Sequence, residues 1–390
     1  MTLIAIHLLQ NHAPSNLNRD DNGDPKDALF GGVRRARISS QALKRSMRWS
    51  DSFRSAFADT PALLAARTQL LPEQVRERLA GLELADEVKS ALVQAAARLG
   101  KGESKPAAEA GDGGADDGKK AKKGKKAEPE AVAERVKTAQ LMFLTAGEID
   151  QLAAKLVQIV REQGLEVLNA LGGDKLVAAI GAYEPHAVDI AAFGRMTTSS
   201  PFKDVEASVQ VAHALSTHAV EQEFDFYTAV DDISGEAGAG FLGETSFNSA
   251  TYYKYLNIDW GGLVKNLQGD TVVAATAVRA LIRAALFAIP SGKQNSFAAH
   301  NLPDLALVEV RPAQIALSYA NAFVKPVRAS AQKSLVEASA EELQKYIPTI
   351  NDMYGLQAER AFVSTVPFTL AGARQCVNLD DLLNWLPLSA

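Results

Sequence analysis

The sequence predicts an α+β protein in which a sheet domain is interrupted by a helical segment. Runs rich in Val, Ala, Thr, Tyr and Phe, bounded by Gly, Asp and Asn, lie at both ends of the chain and are typical of strands. Between them, from residue 61 to 183, apolar residues recur three and four apart, which predicts helices. With 390 residues, 47% of them hydrophobic, the chain can bury a sizeable core.

The predicted elements follow in chain order. The chain opens with a buried strand at residues 3–10, a polar loop at 16–27, a short strand at 33–38 and a helix that Ser39 and Ser40 can cap. Helices are predicted over 73–99 and 131–163, strands over 187–193, 205–220 and 251–258, and helices over 271–289, near 341–346 and over 379–385. The opening is compatible with an RRM-like sheet.

This order predicts three parts. Residues 1–54 and 186–390 form the sheet domain with its covering helices, residues 55–185 form a helical insertion, and residues 231–247 form a long glycine-rich hairpin. Within the insertion, residues 101–129 are low-complexity and predict disorder. The six lysines between Lys119 and Lys126 are interpreted as part of a solvated loop.

Charge is distributed unevenly along a chain whose net charge is −5. Between Arg34 and Arg54 there are seven Lys or Arg residues and a single acid, Asp51. One cysteine excludes an internal disulfide and a cysteine-rich zinc site. The apolar N-terminus has only the length of a strand, and the apolar run from 272 to 289 contains Arg279 and Arg283, so we expect a cytoplasmic protein without a membrane partner.

The segment from Asn11 to Arg48 carries the most specific signal. After the polar loop, Arg34, Arg35 and Arg37 alternate with apolar residues, and in the following helix Leu43 and Met47 share a face opposite the cations. Backbone N–H groups, serine hydroxyls and cations at a helix start can bind phosphate, and Gly31-Gly32 would let a phosphodiester approach closely. The alternative is a solvated basic helix after a hairpin.

The sequence lacks the common motifs of catalytic and metal-binding sites. The six histidines show no paired ligand spacing, and there is no Walker loop, GxSxG elbow or Rossmann fingerprint. We therefore expect no catalytic residue, no metal and no cofactor. One enzyme alternative stays open, because Asp20, Asp21, Asp24 and Asp27 cluster in the first loop and could bind Mg²⁺ or act as a general base.

Several motifs together resemble the CasC family, the repeated backbone subunit of the type I-E CRISPR Cascade complex within the RAMP superfamily. They are LNRDD and KDALFGG between residues 17 and 32, RRxRISSQxLKR at 34–45, FGRM at 193–196 and FYTAVDD at 226–232. The resemblance implies an RRM-like (ferredoxin-like) palm, helical fingers and a thumb hairpin. It also implies a non-enzymatic protein that polymerises along a guide crRNA and presents it to target DNA, together with other Cascade subunits, in antiviral defence.

The resemblance and the basic segment together predict an RNA site built from phosphate contacts, so that the bases stay free for pairing. The thumb, whose acids oppose phosphate, would instead insert apolar side chains, and Met196 would pack against a displaced nucleotide. The predicted RNA-binding residues are Arg19, Lys26, Phe30, Arg34, Arg35, Arg37, Ser39, Ser40, Gln41, Lys44, Arg45, Arg48, Met196, Leu242 and Lys293. The alternative is a metal-dependent endoribonuclease of the same superfamily that uses a first-loop aspartate.

Overall fold

The structure is a computed structural model that describes residues 3–99, 135–197, 201–230, 232–233 and 237–388. The low-complexity segment 101–129, with its lysines, lies outside these residues. So do Asp231 and residues 234–236 of the predicted thumb.

Groups of strands and groups of helices follow one another along the described chain. The strands are β1 (Leu3–Ser15), β2 (Asp27–Phe30), β3 (Val33–Ile38), β4 (Ala66–Thr68), β5 (Met142–Leu144), β6 (Val209–Val211), β7 (Ala214–Ser216), β8 (Glu223–Val230), β9 (Ala237–Asp259), β10 (Leu305–Arg311), β11 (Glu359–Ser364) and β12 (Ala373–Gln375). The helices are α1 (Ser40–Trp49), α2 (Asp51–Arg54), α3 (Leu71–Leu79), α4 (Asp86–Arg98), α5 (Ala146–Gln163), α6 (Leu165–Ala170), α7 (Gly173–Ile180), α8 (Val188–Phe193), α9 (Trp260–Asn266), α10 (Thr271–Phe287), α11 (Gln294–Phe297), α12 (Leu335–Tyr354) and α13 (Leu379–Trp385).

The chain divides into two compact units. The first combines Met1–Ala58 with Ser208–Ala390, and the second is Asp59–Ala207. The mixture of a large sheet with many helices confirms the α+β class. The RRM-like arrangement of the palm stays a prediction. No helix in the described part of the chain has both the length and the apolar character needed to cross a bilayer.

A ten-stranded sheet within the described residues organises the first unit, in the order β12-β11-β10-β1-β9-β7-β3-β2, with β6 and β8 also paired to β9. Pairing is antiparallel except between β11 and β12. β1 lies between β10 and β9 in the interior of the sheet. Its run from Leu3 to Gln10 is buried throughout, as expected for a strand that is covered on both faces. β9 is long enough to pair with β1 in the sheet and with β8 beyond it.

Each face of this sheet is covered by a helix. Leu343 and Ile347 of α12 pack with Ala5 and Leu9 of β1. In another cluster, Leu43 of α1 packs with residues of β3, β7 and β9, namely Ala36, Ile38, Ala214, Ala250 and Tyr252. The predicted apolar face of α1 is confirmed, since Leu43 and Met47 are both buried.

The second unit is mainly helical. Leucines, valines and alanines of α3, α4 and α5 form one buried cluster, and β4 pairs with β5 beside it. The predicted helix over 131–163 is shorter in the described residues, because Met142–Leu144 is a strand and α5 begins at Ala146. A capping box between Thr145 and Glu148 starts α5 there.

Two strand predictions require correction. Residues 187–193 were predicted as a strand but form the helix α8, which ends at Gly194 with φ +77°. All of its residues from Val188 to Ala192 are buried, so a short apolar run carried no period that could distinguish helix from strand. Within 205–220, only the two three-residue strands β6 and β7 form.

Candidate nucleic-acid interface

Hydrogen bonds hold the first loop in one conformation. The buried Asn16 side chain donates to the carbonyls of Gly23 and Ser246, at 2.9 and 3.0 Å. The Asn18 carboxamide oxygen accepts from the N–H of Ser39 at 2.8 Å, which connects the loop to the start of α1. The sequence predicted the loop but did not predict the positioning roles of Asn16 and Ser246, because both depend on a partner far away in the chain.

Three acids of this segment, Asp20, Asp24 and Asp27, already have partners within the protein. Asp20 accepts from the N–H groups of Asn22 and Asp24 in an Asx-type turn. Asp24 accepts from the Ser246 hydroxyl, and Asp27 pairs with Arg34. No group of three or more His, Cys, Asp or Glu residues that could hold a metal ion occurs in the described ranges.

The turn between β2 and β3 requires glycine because of its backbone conformation and a close contact within the protein. Gly31 and Gly32 have φ values of +61° and +80°, as in a two-residue hairpin turn with both residues left-handed. A Cβ on Gly31 would lie 2.1 Å from the carbonyl oxygen of Val324, whereas a Cβ on Gly32 would meet nothing within 4 Å. Close approach of a phosphodiester is not needed to explain Gly31.

Arg35 does not lie on the surface, which corrects the prediction of exposed cations along β3. Its side chain is 0% exposed, and it donates to the carbonyls of Phe30, Ser216, Phe323 and Val324. Successive side chains of a strand point to opposite faces, so Arg35 is buried while the neighbouring Arg34 points to solvent. Arg37 is half-buried and donates to the Asp27 carbonyl at 3.0 Å. Phe30 is half-buried beneath the Arg35 guanidinium, which lies 5.7 Å from its ring centre.

The helix α1 begins as predicted and is capped by one of the two predicted serines. The Ser39 hydroxyl accepts from the Ala42 N–H at 3.3 Å, so this N–H is not available to a phosphate. Ser40 is half-buried, and Gln41 is exposed next to it. Along the helix, Arg45 is exposed and Lys44 half-buried. Arg48 is only 8% exposed and lies over the ring of Trp49, so the prediction of an outward cation there was also wrong.

A second loop meets the first one. Gly292 packs so closely that an added Cβ would lie 2.3 Å from the Leu17 carbonyl oxygen. This places Lys293, with φ +50°, beside β9, where its ammonium donates to the Thr245 hydroxyl at 3.2 Å. We call the resulting surface the first-loop platform. It comprises residues 16–26, Ser39–Gln41, Thr245–Ser246 and Gly292–Lys293, and it includes Arg19, which is exposed, and Lys26, which is half-buried.

The hairpin of β8 and β9 extends from the sheet, and pairing of the two strands runs from Glu223↔Phe247 to Val230↔Ala237. The main chain of Leu242 lies opposite Thr228, while its side chain lies outside the described residues. Every described side chain of β8 is exposed, including Phe224 and Phe226. These two aromatic residues were missed, although their alternation with acids in a strand was a visible signal.

Met196 belongs to the second unit and follows Arg195, whose side chain is held by several hydrogen bonds. Arg195 is buried, and its guanidinium donates to Glu148 at 2.8 Å and to the Phe143 and Lys203 carbonyls. Met196 itself is 88% exposed and is not part of a core. An exposed thioether next to a fixed main chain is accessible for the predicted nucleotide contact, which stays a prediction.

Comparisons with known proteins agree with the sequence motifs. A search of curated protein sequences found no match. One solved chain, from a "CRISPR RNA-guided surveillance complex, pre-nicking", is similar with a TM-score of 0.76 and 29% identity, covering 98% of this chain and 99% of that one. Another, from a "CRISPR RNA-guided surveillance complex", shares the fold with a TM-score of 0.67 at 24% identity, over 98% and 99% of the two chains.

The match to a family model extends over nearly the whole chain. The CT1975-like protein model aligns with residues 4–385. With the surveillance-complex chains, this confirms the resemblance to the CasC family that the motifs predicted. The chain belongs to the CT1975-like protein family.

Proposed function

We propose that this chain is the crRNA-binding backbone subunit of a type I-E CRISPR surveillance complex. In this proposal several copies line up along one guide RNA and present it for pairing with target DNA, together with other Cascade subunits. The family match and the two structures of RNA-guided surveillance complexes support a role in such an assembly. The finer assignment depends on the first-loop platform.

The main observation behind the proposal is that hydrogen bonds bring cationic and hydroxyl donors together in this platform. Asn18 ties the loop to Ser39, Asn16 ties it to Ser246, and Lys293 reaches Thr245 on the same strand. Arg19, Arg34 and Arg45 are exposed around it. Cations and hydroxyls of this kind bind phosphates without reading bases, which suits a protein that leaves sequence recognition to pairing.

The hairpin and Met196 supply contacts of a different kind in this proposal. Phe224 and Phe226 are exposed on a strand that also carries Glu223 and Asp225, so stacking or insertion is favoured over phosphate binding. The absence of RNA cleavage is likewise a proposal. It is supported by the loop bonds that already engage Asp20, Asp24 and Asp27.

The test mixes the purified protein with single-stranded RNAs of several lengths and unrelated sequences, in Mg²⁺ or EDTA, and follows mass and RNA integrity. We expect mass to rise in protein-sized steps with RNA length, independent of sequence, and the RNA to stay intact. RNA cut only with Mg²⁺, with cutting lost in Asp20→Asn or Asp24→Asn, would establish the endoribonuclease alternative instead.

A paired variant tests the cations of α1, the helix that begins in the platform at Ser40. Lys44→Ala with Arg45→Ala should weaken binding of all guide sequences alike and make the salt dependence shallower by about 1.4 in log–log slope, since each single-strand phosphate contact contributes about 0.7. The control is Arg374→Ala, an exposed arginine of β12 at the opposite edge of the sheet. A loss confined to certain sequences would contradict the proposal.

A further inference from the structure

A cleft of about 290 Å³ lies between α10 and the segment that contains α2 and the turn after it. Thr276, Arg279 and Arg283 line it from α10, and Ser52 and Ser55 line it from the other side. Two alanines, one on each side, complete the lining. Both walls belong to the first unit, and the cleft lies outside the first-loop platform.

The sequence explains why these polar groups converge. Positions 276, 279 and 283 are three and four apart, so they share one face of α10, while most of the remaining helix is buried. On the facing segment, Phe53 and Phe57 are buried and pack against each other, which leaves Ser52 and Ser55 to face outward. Small alanine side chains between the polar groups keep the surface concave.

The electrostatics of the cleft favour an anion. Two guanidinium groups and three hydroxyl groups line it, and its lining contains no acid. Arg279 has no ion-pair or hydrogen-bond partner among the residues that the structure describes. Arg283 pairs with Asp380, an exposed acid of α13 whose surface ion pair contributes little to stability. Arg279 and Arg283 are four apart on α10, where like charges repel weakly, and a bound anion would relieve this repulsion.

An exposed aromatic residue close in sequence to the segment that lines the cleft distinguishes a nucleic acid from other anions. Trp49, the last residue of α1, is 54% exposed and has Arg54 at 4.9 Å and Arg48 at 5.8 Å from its ring. An exposed indole held by guanidinium groups is a surface on which a base of a single strand can stack. Arginine forks match the oxygens of a phosphate.

We propose that this cleft binds a phosphodiester group of a nucleic-acid strand through Arg279 and Arg283, with Trp49 available to stack on a neighbouring base. The helix α1, ten residues or about 15 Å long, connects Ser39 of the first-loop platform to the segment that lines the cleft. The two sites share no residue, so this is a second contact. The inference goes beyond the guide-binding role of the platform and uses different residues.

The test measures binding of fluorescent oligonucleotides to the full-length chain over a range of salt concentrations. One arm adds single-stranded RNA to the free protein, and the other adds single-stranded DNA to protein already loaded with RNA. Arg279→Gln with Arg283→Gln should weaken at least one arm about tenfold or more, because charged hydrogen bonds to the phosphate are lost, and should make its salt slope shallower by about 0.7, the contribution of one phosphate contact. The arm affected identifies the strand.

Two further variants should change the binding affinity in opposite directions. Asp380→Asn releases Arg283 and should tighten binding in the same arm, whereas Trp49→Ala should weaken it. Arg374→Gln, which removes another exposed arginine that pairs with an acid of α13, is the control and should change nothing. Thermal unfolding of each variant verifies that it is folded.

The outcomes separate this inference from the proposed function. Loss with the Arg279 and Arg283 variants but not with Lys44→Ala and Arg45→Ala supports the cleft and contradicts the α1 contacts of the proposed function. The reverse result contradicts the cleft. Unchanged affinity and slope in both arms would overturn the inference. So would competition by inorganic phosphate in the absence of any polynucleotide effect, which would indicate an adventitious ion only.

Discussion

Gly31 lies directly against the main chain of Val324, with room for a hydrogen atom and no room for a methyl group. A Cβ at this position would be 2.1 Å from the Val324 carbonyl oxygen, and that same oxygen accepts a hydrogen bond from Arg35 at 3.2 Å. The turn of the β2–β3 hairpin is thereby held against the segment that follows β10.

Gly31→Ala should therefore lower the free energy of unfolding by several kcal/mol, because the left-handed backbone and the clash with Val324 act together. Gly32→Ala is the matched control. It carries the same left-handed strain but meets no neighbour, so a loss of about 1–2 kcal/mol is expected. Denaturant unfolding measures both, and equal losses would contradict the close packing.

Arg34 and Arg35 are adjacent in sequence and should behave in opposite ways. Arg35→Ala leaves several carbonyls near Val324 without their donor and should cost about 3 kcal/mol or more of stability. Arg34→Ala removes an exposed ion pair with Asp27 and should change stability by less than about 0.5 kcal/mol, while weakening RNA binding. Unfolding and RNA-binding curves for the two variants separate a structural arginine from a phosphate-binding one.

Lys254 should be a destabilising residue at neutral pH. It is buried on β9, and its ammonium has no hydrogen-bond partner within the described residues. Burial lowers the pKa of Lys254 to about 8, and the nearby His12, whose pKa burial lowers to about 3, stays neutral. The unfolded chain therefore binds the lysine proton more tightly, and stability rises as pH increases from about 8 towards 10.5.

Lys254→Met removes this cost and should raise the free energy of unfolding at pH 7 by about 2–4 kcal/mol. The advantage over the original chain should shrink as the pH approaches 10.5. Denaturant unfolding at pH 7 and at pH 9.5 tests both statements. A destabilised Lys254→Met variant at pH 7 would show that the ammonium has a partner in solution.

Glu309 should behave in the opposite way on acidification. Its buried carboxylate accepts from Tyr319 at 2.8 Å and from both Arg311 and Arg360 at 2.6 Å. Burial acts to raise the pKa of Glu309, but His7, Arg311 and Arg360 together lower it below its usual 4.5. Its contribution to stability is thus fully present above pH 4.5 and is lost as the pH falls through the lowered pKa.

Glu309→Gln keeps the shape but leaves buried cations without a counter-charge, and should cost about 3–5 kcal/mol at pH 7. Glu341→Gln, a surface acid on α12 that pairs with Lys345, is the control and should change stability far less. Urea unfolding from pH 7 to pH 3 should show the gap between Glu309→Gln and the original chain narrowing. A constant gap would contradict the role of the carboxylate charge.

Local patterns predicted much of the fold because they depend on neighbouring residues alone. The strand β1, the capped start of α1 and the helix α13 lie where periodicity and capping residues indicate. One exception is α8, whose short apolar run is buried and carries no readable period. Family motifs likewise predicted the membership that the comparisons confirm.

The sequence by itself determined the α+β class, the basic segment after the first loop and the family. Tertiary structure alone decided which cations reach solvent, turning Arg35 inward and leaving Arg34 outside, and it alone brought Ser246 and Gly292 against the first loop. The physical reason is that charge and periodicity are properties of adjacent residues. Burial and hydrogen bonding depend instead on partners such as Val324 and Ser216, which lie more than a hundred residues away along the chain.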